Sequence, residues 1–195
     1  MGEPPSSFEG LFSMARPSTP QLTVSDLSGQ SAEAFCAELA GRLVGSLVLF
    51  CGDRDTAEDV AQEALARTME RWDRVRVMVS PEAWTYRVAF NIARSLARRR
   101  LVERRAAHRI GMQRAAVLPD AAAAIAVRDA VRALPPRQRA AIVTRYYAGL
   151  SVAEAARVLN CAPGTVKSLV FKALANLRNA GLIEELEGHS DAPTE

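Results

Sequence analysis

Five residues near the C-terminal end have the types and spacing needed to read nucleic acid. Within Ser151 to Arg178, SVAEAARVLNCAPGTVKSLVFKALANLR, the side chains of Thr165, Lys167, Ser168, Phe171 and Lys172 share the outer face of a helical repeat. Hydroxyl and ammonium groups in that arrangement can bond base edges in a DNA major groove and pair with phosphates. Phe171 can either touch a thymine methyl or pack against a neighbouring helix, and both readings stay open. These residues need two helices around a tight corner to present them. Ser151 and Glu154 have the spacing of a capping box. Val152, Ala155, Ala156 and Leu159 then follow helical periodicity, and the two alanines are small enough for a second helix to cross closely. Asn160 tolerates the left-handed conformation that ends a helix, and Pro163 suits the first turn of the next. Val166, Val170, Ala173 and Leu177 face inward. The pattern predicts a helix-turn-helix whose second helix is offered to a major groove. An ordinary helical hairpin shares the corner, but cap, crossing and basic outer face coincide here.

A second chemical candidate is the acidic block DRDTAEDVAQEALAR, Asp53 to Arg67. An EF-hand needs a glycine at its sixth position and a bidentate glutamate at its twelfth, where this block has Glu58 and Ala64. A two-metal nuclease needs carboxylates converging from separate elements, whereas Asp59, Gln62 and Glu63 lie side by side on one helix face. His108 and His189 are the only histidines, and neither stands near a nucleophile in sequence. Cys36, Cys51 and Cys161 have no paired spacing, so neither a disulfide nor a zinc framework is expected. No catalytic residue, metal or cofactor is expected.

With 49% apolar residues in 195, the chain can bury a core in one domain or two small ones. Aromatics are few, Ala and Arg abundant, and little reads as strand, so the expected fold is all-α. The longest apolar run, Leu43 to Phe50, falls short of a membrane span. The start MGEPPSSFEG lacks the basic and apolar stretches of a signal peptide, and the cytoplasm is the expected location. Overall charge is only +3, but its distribution is polarised. Residues 1–70 carry a net −7, 71–114 a net +9, 120–180 a net +6, and the last stretch is wholly acidic. Two basic blocks suggest two contacts with a polyanion.

Periodicity then orders the chain. Residues 1–30 read as a disordered tail. Ser31 caps a helix to about Phe50, with Phe35, Leu39, Leu43 and Leu47 inward and Gly52 as breaker. Asp55 and Glu58 form a capping box for a helix from Thr56 to about Trp72, with Ala57, Val60, Ala61, Ala64, Leu65, Thr68 and Trp72 inward. A loop over 73–79 leads to Ser80-Pro81-Glu82, which opens a helix to about Arg100 with Trp84, Val88, Ile92 and Leu96 as its buried stripe. A linker follows over 104–120. A second helical domain spans 121–186, with a helix ending before Leu134 and another over 138–148, and 187–195 form an acidic tail. The expected architecture is two small helical domains, 31–103 and 121–186, on a flexible linker.

Three blocks in this order resemble the sigma-70 family of bacterial transcription initiation factors, in its extracytoplasmic-function subgroup. AEDVAQEAL at Ala57 to Leu65 is similar to the family's region 2.2, PEAWTYRVAFNIARSLARRR at Pro81 to Arg100 to regions 2.3 and 2.4, and LPPRQRAAIVTRYYAGLSVAEAARVLNCAPGTVKS at Leu134 to Ser168 to region 4. The resemblance implies that Asp55, Asp59, Gln62 and Glu63 dock on the clamp helices of the RNA polymerase β′ subunit. It implies that Arg74, Arg76, Arg87, Asn91, Arg94, Arg98 and Arg99 contact the opened −10 element, with the loop over 73–80 holding an unstacked base. It also implies that Thr165, Lys167, Ser168, Phe171 and Lys172 read the −35 element near the β flap, and that an anti-sigma factor regulates the protein. Leu169 and Leu174 stand where relatives commonly carry arginine, which points to weaker phosphate anchoring of the −35 contact. The rival is a conventional dimeric helix-turn-helix regulator on palindromic duplex operators, needing no polymerase.

Overall fold

The structure, a computed structural model, describes residues 30–107 and 122–180, and every regular element among them is helical. The expected tails, most of the linker, His108 and His189 lie outside the described residues.

Helix α1 (Ala32–Cys51) starts where the Ser31 hydroxyl accepts from the Ala34 N–H at 3.2 Å. It ends at Gly52, whose φ of 77° lets its N–H reach the Val48 carbonyl at 2.8 Å. Phe35, Leu39, Leu43 and Leu47 are all fully buried along one face. By length and mean hydropathy (1.7) α1 could cross a membrane, more than the sequence reading allowed. Here it is the central core helix, and it buries a charged residue, Arg42, against Glu82 at 2.8 Å.

Helix α2 (Arg54–Glu70) is capped one turn position earlier than expected. The Asp53 carboxylate, not Asp55, accepts from the Thr56 N–H at 3.0 Å and from the Thr56 hydroxyl. Its Asp53 pKa is lowered chiefly by those Thr56 bonds. The expected Asp55–Glu58 box is absent; Asp55 sits in the first turn, where a negative charge suits the helix dipole. The helix also ends before Trp72. That residue opens a single helical turn, α3 (Trp72–Val75), inside the segment expected to be loop, and its ring stacks at a tilt 5.0 Å from Phe35.

Helix α4 (Pro81–Ala107) carries the largest correction. Its buried stripe is Ala83, Tyr86, Ala89, Phe90 and Ala93, while Trp84, Val88, Ile92 and Leu96 are only half-buried. The helix has two apolar faces because it is packed on more than one side: α1 and α2 cover one, and the second half of the molecule lies against another. It also takes in Arg104 to Ala107, which the sequence reading placed in the linker. A pair of buried hydroxyls, Thr68 and Thr85, 3.1 Å apart, pins α4 to α2.

The second half holds α5 (Ala122–Ala133), α6 (Pro136–Ile142), a π-helical turn (Val143–Tyr147), α7 (Val152–Leu159) and α8 (Pro163–Asn179). The single helix expected over 138–148 is thus a short α-helix that widens into a π turn. The Thr144 hydroxyl bonds back to the Ala140 carbonyl at 2.7 Å, and the Ala148 N–H reaches the Val143 carbonyl at 2.9 Å.

The two halves do not stand apart. Helix α4 packs on α7, while α1 packs on α5, α6 and the π turn, so one hydrophobic core runs through both.

Candidate nucleic-acid and polymerase interface

The helix-turn-helix forms as its residues dictate. The Ser151 hydroxyl accepts from the Glu154 N–H at 3.2 Å, and the Glu154 carboxylate accepts from the Ser151 N–H at 2.8 Å. Burial alone would raise the Glu154 pKa, but hydroxyl bonds from Ser80 and Ser151 outweigh it and hold the carboxyl below its ordinary value. Asn160 turns the corner in the left-handed region (φ 52°, ψ 56°), and the Cys161 N–H returns to the Ala156 carbonyl at 3.1 Å. Pro163 begins α8, and Ala162 before it supplies no side-chain cap. Buried Ala155 and Ala156 leave room for α8, which seats Val166, Ala173, Leu174 and Leu177 in the core. An Asn176 amide bond to Gln138 at 2.8 Å ties α8 to α6.

This packing leaves Thr165, Lys167, Ser168, Phe171 and Lys172 exposed together on one broad face of α8. Phe171 is 71% exposed, so within this chain it does not pack against a neighbouring helix. Leu174 is buried at 6%, and it is therefore a core residue, not a cation missing from the DNA-facing side. Leu169 is half-buried and lines a cavity between the two halves.

On α2, Asp55, Asp59, Gln62 and Glu63 are all exposed, opposite the buried Ala57, Val60, Ala61 and Ala64. Glu63 pairs with Arg67 at 2.7 Å on the surface, a contact worth little to stability. On the other side, Arg87, Asn91, Arg98 and Arg99 of α4 are exposed, and Arg94 is half-buried over the Phe90 ring at 5.9 Å. Arg74 and Arg76 flank the end of α3, and Arg76 reaches Asp73 at 3.6 Å.

Beside these arginines lies a feature the sequence reading passed over. Val77 and Val79 are 70% and 84% exposed, and Met69 is exposed nearby in sequence. In the run Val75-Arg76-Val77-Met78-Val79, Val75 closes the helical turn and is buried, whereas Val77 and Val79 follow in the turn and face solvent. Exposed apolar side chains next to arginines make a surface on which a base can rest while its phosphate is paired.

Known proteins carry the same two blocks. Residues 37–102 match sigma-70 region 2, and residues 124–177 match sigma-70 region 4. The chain belongs to the sigma-70 family. Among its relatives are the RNA polymerase sigma-E factor of Streptomyces antibioticus, 35% identical over 67% of this chain and 71% of that one, and the sigma-E factor of Streptomyces coelicolor, 31% identical over 69% and 76%. Extracytoplasmic-function sigma factors, such as that named EcfG in Rhodopseudomonas palustris (31% identical, 65% and 71%), place it in that subgroup. Among solved structures, the sigma factor RpoE of Bartonella quintana, in complex with the anti-sigma factor NepR, aligns over 77% of this chain and 98% of that one. That alignment has a TM-score of 0.68 at 25% identity. The relatives are transcription initiation factors and not enzymes, and region 4 is a DNA-binding module of factors that associate with RNA polymerase.

Proposed function

We propose that this sigma factor binds core RNA polymerase through the α2 face of Asp55, Asp59, Gln62 and Glu63, reads duplex −35 DNA with α8, and holds opened −10 DNA along α4. In this reading residues 31–103 form the docking and −10 half, and 121–186 form the −35 half. Arg87, Asn91, Arg94, Arg98 and Arg99 follow the −10 strand, while Arg74 and Arg76, with Val77 and Val79 beside them, receive an unstacked base. Arginines supply phosphate attraction that is independent of sequence. An apolar shelf that accepts only a base already out of its stack favours the melted form.

The observation supporting this reading is the coexistence of exposed faces of opposite charge: an acidic one on α2, suited to a protein partner, and basic ones on α4 and α8, suited to DNA. A dimeric operator-binding regulator has no use for the first. The protein acts in the cytoplasm, with the polymerase. An anti-sigma factor belongs to the proposal, since the Bartonella relative was solved with one.

Charge reversal tests it. Asp59→Lys with Glu63→Lys touches only exposed residues. It should abolish core polymerase binding in a pull-down and leave the affinity of the protein for a −35 duplex unchanged. Retained polymerase binding would remove α2 from the docking surface.

A further inference from the structure

Arg94 and Arg137 carry charges that nothing around them answers. Arg94 of α4 is half-buried, with its guanidinium held over the Phe90 ring at 5.9 Å. Arg137 of α6 is exposed, and both residues line one cavity of about 400 Å³. No aspartate or glutamate is among the described residues of that lining, and neither arginine has an ion pair among the described residues. Burial lowers the Arg94 pKa, the neighbouring charge of Arg137 lowers it further, and Cys161 opposes them. Arginine stays protonated even so. Two like charges therefore share one cavity with no counter-ion from the protein, and an anion placed there turns repulsion into attraction.

The rest of the lining says what kind of anion fits. Phe50, Leu159 and Leu169, from the ends of α1 and α7 and from α8, give the cavity an apolar wall. Its volume falls in the range of small-ligand sites, which begins at about 300 Å³. That is more than ten times the share of one water molecule in the liquid, about 30 Å³, so a bare inorganic anion leaves most of the space and the wall wet. Guanidinium groups bond phosphate and carboxylate in a bidentate fashion, which fixes the head of a ligand as well as attracting it.

We infer that this cavity is a binding site for a small organic oxyanion, with its phosphate or carboxylate on Arg94 and Arg137 and its apolar body against Phe50, Leu159 and Leu169. Asn91 belongs to the same lining. In the proposal above, Arg94 and Asn91 hold the opened −10 strand, so the bound oxyanion and that strand compete for the same two side chains. The competition rests on the sigma reading, whereas binding itself can be measured without polymerase or DNA.

Isothermal titration calorimetry on the full chain tests the site with naphthyl phosphate, naphthoate, the uncharged naphthol and inorganic phosphate. One or both naphthyl anions should bind at a single site, about tenfold or more tighter than naphthol or inorganic phosphate, since only they combine the charge with an apolar body. Which of the two binds better tells a phosphate ester from a carboxylate. Arg137→Gln alters an exposed position and should keep the helix content measured by circular dichroism. It should weaken binding about tenfold, the scale of one lost charge-assisted hydrogen bond. Arg157→Gln removes the same charge from an exposed site on α7 outside the lining and should leave binding unchanged. No binding of either naphthyl anion, equal binding of naphthol or inorganic phosphate, or an equal loss in both variants overturns the site. Saturating naphthyl phosphate should also weaken binding of a single-stranded −10 oligonucleotide. Intact ligand binding without that competition instead strikes at Arg94 and Asn91 as −10 contacts.

Discussion

Glu82→Gln is the substitution whose cost the structure defines most closely. Arg42 is 1% exposed and pairs with Glu82 at 2.8 Å, and its Nε and Nη2 atoms have no hydrogen-bond partner among the described residues. Glutamine keeps the shape of Glu82 but leaves a buried guanidinium without its countercharge. Removing one partner of a buried ion pair costs about 3–5 kcal/mol. Loss of a first-turn acid at the start of α4 adds about 0.3–1 kcal/mol at most. Because one core runs through both halves, the unit that melts is the size of a medium domain, for which each kcal/mol shifts Tm by about 2–4 °C. The expected fall is therefore about 6–24 °C, read by circular dichroism melting and by a lower urea midpoint. The double variant Arg42→Met with Glu82→Leu should recover most of it, since a well-packed apolar pair often replaces a buried ion pair at little cost. A loss below about 1 kcal/mol for Glu82→Gln, the range of surface pairs, would refute the argument that this charge pair fixes α4 on α1.

Other outcomes follow from the same geometry. Ser151→Ala should cost about 0.5–2 kcal/mol by breaking the capping box, measured by urea denaturation. The depressed Glu154 pKa adds a pH signature. Its contribution is complete above the ordinary carboxylate value of 4.5 and is lost as pH falls through the lower folded value, so Glu154→Gln should flatten the stability profile in that acid window. Asn160→Ala forces alanine into the left-handed region at a cost of about 1–2 kcal/mol, whereas Asn160→Gly should be near neutral. Lys167→Ala or Lys172→Ala should each reduce the slope of log affinity against log salt for −35 duplex DNA by about 0.9, as expected for one lost phosphate contact.

Local features of this chain were legible and distant ones were not. The capping box, the Asn160 corner and the Pro163 start all lie within one short segment, so residue type and spacing dictated them. The stripe of α4 was misread because Trp84, Val88, Ile92 and Leu96 are as regularly spaced as the residues that fill the core. Only the packing of α1 and α2 decides between the two faces. The cap of α2 was placed at Asp55 because two aspartates, Asp53 and Asp55, compete for the role. Leu174 looked like a lost cation because a resemblance compares residue types without knowing which side of α8 turns inward.

The role proposed for this chain is to direct initiation by core RNA polymerase. Run-off transcription with purified core polymerase on a library of genomic fragments tests it most directly. New transcripts dependent on the protein, with start sites sharing −35 and −10 sequences, are expected, and they should be lost on Asp59→Lys with Glu63→Lys. Duplex DNA binding without any transcript, and without association with core polymerase, would contradict it.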